Sequence, residues 1–131
     1  MPLTVLENIT EPARLLERDE VDYLVFYASI DPTHGQMWCG DCRRVEEVVR
    51  RVFDDAGSPS AAIVYVGSKP EWKNPSSAFR GEPFTLTDVP TIAKLERDGN
   101  GNVGIVKLVD TEIDAGLPAF VAGGRGVAEG A

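Results

Sequence analysis

The chain has 131 residues, 43% of them hydrophobic, and 13 basic against 21 acidic side chains give it a net charge of -8; this suits one domain with a single packed core. The acidity argues against nucleic acid or an anionic membrane as partner. No stretch approaches the roughly 20 apolar residues of a membrane span, and Met1-Pro2-Leu3-Thr4 begins without the basic and then hydrophobic regions of a secretory signal, so the expected compartment is the cytoplasm.

In chain order, Glu11 to Arg18 suits a short helix with Thr10 as N-cap and Ala13, Leu15 and Leu16 available to the core. Tyr23-Leu24-Val25-Phe26-Tyr27-Ala28 is a continuous apolar run, as expected of a central strand buried on both faces. Asp31 to Gln36 carries turn formers and reads as a loop. From Asp41 onward Val45, Val48, Val49, Val52, Phe53 and Ala56 repeat at helical spacing, while Arg43, Arg44, Glu46, Glu47, Arg50 and Arg51 cover the other side. Gly57-Ser58-Pro59 should end this helix.

Ala61 to Val66 reads as a second buried strand, which completes a βαβ unit with a right-handed parallel crossover. Prolines forbid a long helix between Gly67 and Pro75, although Pro75 suits the start of a short one through Arg80. Thr91–Glu96 and Val103–Leu108 read as strands joined across Asp98-Gly99-Asn100-Gly101, a hairpin signal. Ile113, Leu117, Phe120 and Val121 suit one face of a closing helix, with Gly116 and Pro118 expected to interrupt it.

Both cysteines lie in Trp38-Cys39-Gly40-Asp41-Cys42, between a strand and the strongest helix. Two intervening residues let the sulfurs meet across one helical turn. The helix start puts unpaired N–H groups and a positive dipole end beside Cys39, which should ionise more easily than a free thiol. A structural disulfide closing so small a loop would contribute only roughly 2 kcal/mol. A structural zinc would need a fourth ligand beyond Cys39, Cys42 and His34, with only the awkward Asp41 to hand. Reversible dithiol chemistry is the reading that uses the placement, with Cys39 attacking and Cys42, a turn further in, resolving. No metal is expected.

The residues around the pair each carry two readings. Asp41 is either a proton shuttle for Cys42 or a solvated first-turn acid. Trp38 either shields the sulfurs and packs on substrate or is a core aromatic. Lys69, Trp72 and Lys73 form either a basic, aromatic contact patch or a loop anchored by one tryptophan. His34, alone in a turn-rich loop, is not assigned a role.

The order βαβ, irregular segment, hairpin and closing helix, with Trp-Cys-x-x-Cys at the crossover helix, resembles the thioredoxin fold. This is an α/β fold, a central mixed β-sheet flanked by helices, here expected over residues 1–122 with 123–131 as a glycine-rich, flexible tail. Asp41 before the second cysteine, the long loop before Trp38, Gly67 to Pro75 with Phe79-Arg80, and Val89-Pro90-Thr91 narrow the likeness to the Clot family of thioredoxin-related cytosolic proteins, over Val21 to Leu108. Gly40 stands where that family commonly has proline.

The resemblance implies that Pro90 is cis and packs beside the cysteines, and that the Val89 backbone hydrogen-bonds an extended substrate. It also implies a monomeric thiol-disulfide oxidoreductase with no bound cofactor beyond a redox-active Cys39–Cys42 disulfide, drawing on NADPH through a thioredoxin reductase. Its substrates would be disulfides of proteins or of small molecules such as cystine. The catalytic set is then Cys39, Cys42 and Asp41, with Trp38, Val89, Pro90, Trp72 and Lys73 on the substrate side. The rival reading is a non-catalytic interaction module, with a partner in the groove near Trp38, Trp72 and Pro90; turnover of reducing equivalents separates the two.

Overall fold

The computed structural model describes residues 3–7, 9–18, 20–54 and 59–122. Among the described residues seven strands are formed: β1 (Leu3–Leu6), β2 (Tyr23–Tyr27), β3 (Ile30–Asp31), β4 (Gln36–Met37), β5 (Ala61–Tyr65), β6 (Thr91–Arg97) and β7 (Val103–Val109). Three α-helices accompany them: α1 (Gly40–Phe53), α2 (Lys69–Lys73) and α3 (Thr111–Ala122). The main sheet has the order β1-β5-β2-β6-β7, and β3 and β4 form a separate small hairpin. Strands β1, β5 and β2 are parallel, while β6 and β7 run antiparallel to their neighbours. The expected mixed α/β sheet is therefore present.

Strand β2 is central because all five of its residues are apolar or aromatic and all five are buried. Successive side chains point to opposite faces. Tyr23 meets Phe53 of α1 at 5.3 Å and Phe120 of α3 at 6.0 Å. Phe26 meets Phe79 at 6.0 Å and Phe84 at 5.0 Å on the other side. Helices α1 and α3 thus cover one face, and the irregular segment between β5 and β6 covers the other. The apolar face of α1 is the expected one: Val45, Val49 and Phe53 are buried, with Val48 and Val52 packed against them.

Several expectations are corrected. The segment after Thr10 forms a 3-10 helix, Pro12–Glu17, flanked by Glu11 with no side-chain cap, and it buries Pro12 and Leu15 while Ala13 is exposed. A proline in its first turn and a length of six residues favour this tighter form. Strand β1 was not legible in Leu3–Leu6, whose pairing partner is β5, far along the chain. Residues 32–35 are the turn of the β3–β4 hairpin, with Asp31 and Gln36 paired across it, rather than a plain loop.

Pro75 opens no helix. Pro70 does, in the first turn of α2, where the Ser68 hydroxyl accepts from the Glu71 N–H at 3.3 Å and the Glu71 carboxylate accepts from the Ser68 N–H at 2.7 Å. A separate 3-10 turn spans Ala78–Arg80. Gly116 and Pro118 do not break α3, because Ile113 and Leu117 are fully buried and Pro118 lies on the exposed side, where the freed carbonyl can face solvent. The expected β6–β7 hairpin forms, its turn held by the Asp98 carboxylate accepting from the N–H groups of Asn100 at 2.8 Å and Asn102 at 3.0 Å. The expected helix stop at Gly57-Ser58-Pro59, Ala56, and the tail at 123–131 involve positions outside the described residues.

Candidate active site

Strand β2 delivers the chain through the β3–β4 hairpin to α1, and Cys39 is the N-cap of that helix, extended at φ -101 and ψ 119. Its carbonyl accepts the first helical hydrogen bond, from Arg43 at 3.2 Å. The free N–H groups of this first turn point toward the motif, as the spacing required. Cys39 is half-buried, whereas Cys42, one turn inside, is 0% exposed.

Each sulfur has a backbone partner on a different strand or loop. The Cys39 thiol donates to the Val89 carbonyl at 3.7 Å, and the Cys42 sulfur accepts from the Ala28 N–H at 3.4 Å. The Val89–Pro90 peptide is cis, as the resemblance implied. The loop that carries it is fixed by the Thr91 hydroxyl donating to the Asp88 carbonyl at 2.6 Å and by the Asp110 N–H donating to the Pro90 carbonyl at 2.9 Å.

Burial pushes the Cys42 thiol well above its ordinary range, the Ala28 N–H works against that shift, and charge on Cys39 and Asp41 adds to it. Removing water disfavours the thiolate, so Cys42 is held as a thiol. Tyr27, the last residue of β2, is held neutral in the same way, mainly by burial, with the Glu46 carboxylate and Cys42 adding to the effect. Its hydroxyl is buried and has no hydrogen-bond partner among the described residues.

Trp38 is half-buried and its indole N–H donates to the Gly67 carbonyl at 2.9 Å, which ties the motif to the end of the β5 crossover. The Ser29 hydroxyl accepts from the Gly67 N–H at 2.8 Å and completes that junction. Asp41 is exposed and its carboxylate is engaged by Arg44 rather than by a cysteine. Trp72 is 4% exposed, with the Arg80 guanidinium 4.0 Å over its ring, so it is a core side chain while Lys69 and Lys73 beside it are exposed. The substrate-side assignment of Trp72 therefore has no surface to act through, and the reading of a loop anchored by one tryptophan fits it. His34 sits exposed in the hairpin turn.

The structure thus brings Cys39, Cys42, Trp38, Val89 and Pro90 together. It adds Ala28 and Tyr27, whose signal was only their place at the end of a buried strand. It also adds Arg44, which reads in sequence as one of several surface arginines. Among the described residues no group of three or more His, Cys, Asp or Glu side chains is arranged to hold a metal ion, and no helix is long and apolar enough to cross a membrane.

Residues 4–113 match the thioredoxin domain of the family described as Thioredoxin domain-containing protein 17-like. A thioredoxin domain-containing protein of Schizosaccharomyces pombe is 32% identical over 110 residues, 84% of this chain and 88% of that one. The thioredoxin-like protein Clot of rice is 34% identical over 108 residues, 73% of this chain and 78% of its own. Among solved structures, a thioredoxin of Trichomonas vaginalis superposes with a TM-score of 0.60 at 14% identity, covering 95% of this chain and 98% of that one, a likeness of fold alone.

Proposed function

The chain belongs to the Thioredoxin domain-containing protein 17-like family, and on that footing we propose that it is a cytoplasmic thiol-disulfide oxidoreductase working through Cys39 and Cys42. Cys39, as thiolate, attacks one sulfur of a substrate disulfide, forms a mixed disulfide and expels the other sulfur as a thiolate, which takes up a proton. Cys42 then loses its proton and attacks the Cys39 sulfur. The mixed disulfide breaks, the Cys39–Cys42 bond forms, and two electrons have passed to the substrate, which leaves as thiols. A thioredoxin reductase drawing on NADPH restores the dithiol.

The observation that carries this reading is the half-exposed Cys39 sulfur at the start of α1, 3.7 Å from the Val89 carbonyl, with the buried Cys42 thiol directly behind it. Exposure selects the attacker and burial selects the resolver. The Ala28 N–H on the Cys42 sulfur supplies a hydrogen bond that favours the thiolate when the second attack falls due. Trp38 and the Val89 backbone flank the approach to Cys39. The hairpin before Trp38 narrows the range of partners, which favours low-molecular-weight disulfides such as cystine and exposed protein disulfides.

Consumption of NADPH with a thioredoxin reductase and a panel of disulfides tests the activity. Cys42→Ser should trap a mixed disulfide on Cys39, while Cys39→Ser should trap none and lose turnover altogether. Absence of turnover with every disulfide in the panel, alongside stable binding of a protein in the groove, would favour the interaction-module reading instead.

A further inference from the structure

Arg44 stands at the centre of three carboxylates. Its guanidinium binds Asp41 in the first turn of its own helix, Asp110 at 3.3 Å and Asp114 at 3.0 Å. Asp41 lies between the two cysteines in the chain. Asp114 lies in the first turn of α3 and Asp110 immediately precedes that helix; Asp110 is also the residue whose N–H holds the Pro90 carbonyl beside the dithiol. A planar guanidinium offers donors in a fixed fork, so the two anchors at Asp110 and Asp114 determine where the third arm can meet Asp41.

We infer that Arg44 is a positioning residue for the dithiol: held by Asp110 and Asp114, it keeps the Asp41 carboxylate against the α3 side and compensates its charge. A carboxylate near a sulfur opposes thiolate formation, and Arg44 is the one cation in contact with these three acids among the hydrogen bonds and ion pairs described. Removing it would leave three uncompensated negative charges beside the first turn of α1 and free Asp41 to swing toward either sulfur. The cluster is about one-third to one-half exposed, so its effect should be modest and sensitive to salt.

The inference rests on the reading of Cys39 as the reactive sulfur, but it is tested on the thiol and not on turnover. In a Cys42→Ser background, alkylation of Cys39 by iodoacetamide at pH 7 and low salt should slow about two- to fivefold on Arg44→Gln. Arg44→Lys, which keeps the charge but loses the fork, should recover only part of the rate, and Asp41→Asn combined with Arg44→Gln should restore it. The slowing should vanish near about 1 M salt. An unchanged rate in Arg44→Gln overturns the inference. So does a slowing that persists in the double variant or at high salt, since a purely mechanical tie between α1 and α3 would behave that way. A protein that reduces no disulfide yet shows the Arg44 effect would lose the oxidoreductase reading and keep this one.

Discussion

The two faces of β2 are equally buried and differ in what they are made of. Toward the β5–β6 segment, Phe26 meets the rings of Phe79 and Phe84, and Leu86 of the same segment is buried in the core. Toward α1 the same strand presents Tyr23 and Tyr27, and its end supplies the Ala28 N–H to the Cys42 sulfur. One face packs aromatic rings against the strand; the other holds a phenol and a thiol in the dry interior, both kept neutral by burial. The α1 face runs out at a single edge to the half-buried Cys39, where the proposed chemistry would sit.

The sharpest way to break this contrast is to open the closed face. Phe84 is buried and its ring lies 5.0 Å from that of Phe26, so Phe84→Ala should cost about 3–5 kcal/mol in urea unfolding. The alkylation rate of Cys39 under native conditions should change less than about twofold, a margin of under about 0.5 kcal/mol. A large change in that rate would mean that the two faces are mechanically one.

A smaller effect is expected on the α1 face. Tyr27→Phe removes a buried hydroxyl without a partner among the described residues and should raise stability by about 1 kcal/mol. The pH dependence follows from the same burial. Tyr27 and Cys42 ionise in the unfolded chain near their ordinary values of 10.0 and 9.0 but later in the folded one, so above these values the folded state binds more protons. Stability should fall as pH rises past 9 and more steeply past 10, and Tyr27→Phe should flatten the second part. Thermal melts across alkaline pH check both; equal slopes in the two proteins would place the phenol outside the dry face.

This contrast was half legible in the sequence. A run of six apolar residues marks β2 as buried on both sides, and the helical repeat of Val45, Val49 and Phe53 marks the α1 face, because both patterns are local. The cysteine pair was legible for the same reason. The Ser68-x-x-Glu71 box around Pro70 is equally local, and it rather than Pro75 starts the helix. What was not legible depends on distant chain: β1 is a strand only because β5 lies beside it, and α3 runs through Gly116 and Pro118 because Ile113 and Leu117 find a core. Arg44 meets Asp110 and Asp114 from 66 and 70 residues away, and no spacing rule reaches that far.

The smallest effect belongs to the β3–β4 hairpin, which lies on neither face. Ile30 is 51% exposed although it is a large aliphatic residue, and it pairs with Met37, which is buried. The hairpin is tied back by the Gln36 side chain accepting from Arg43 at 3.2 Å and by the Trp38 indole on Gly67, contacts that do not involve Ile30. Ile30→Ser should therefore leave stability within about 0.5 kcal/mol. If the proposed disulfide exchange draws protein substrates across this hairpin, Ile30 would act in binding and not in the chemical step, so kcat should hold while KM for a protein disulfide rises by about twofold, near 0.4 kcal/mol. A stability loss above about 1.5 kcal/mol would make the hairpin a continuation of the core, and a lowered kcat with constant KM would move Ile30 from the rim of the site into its chemistry.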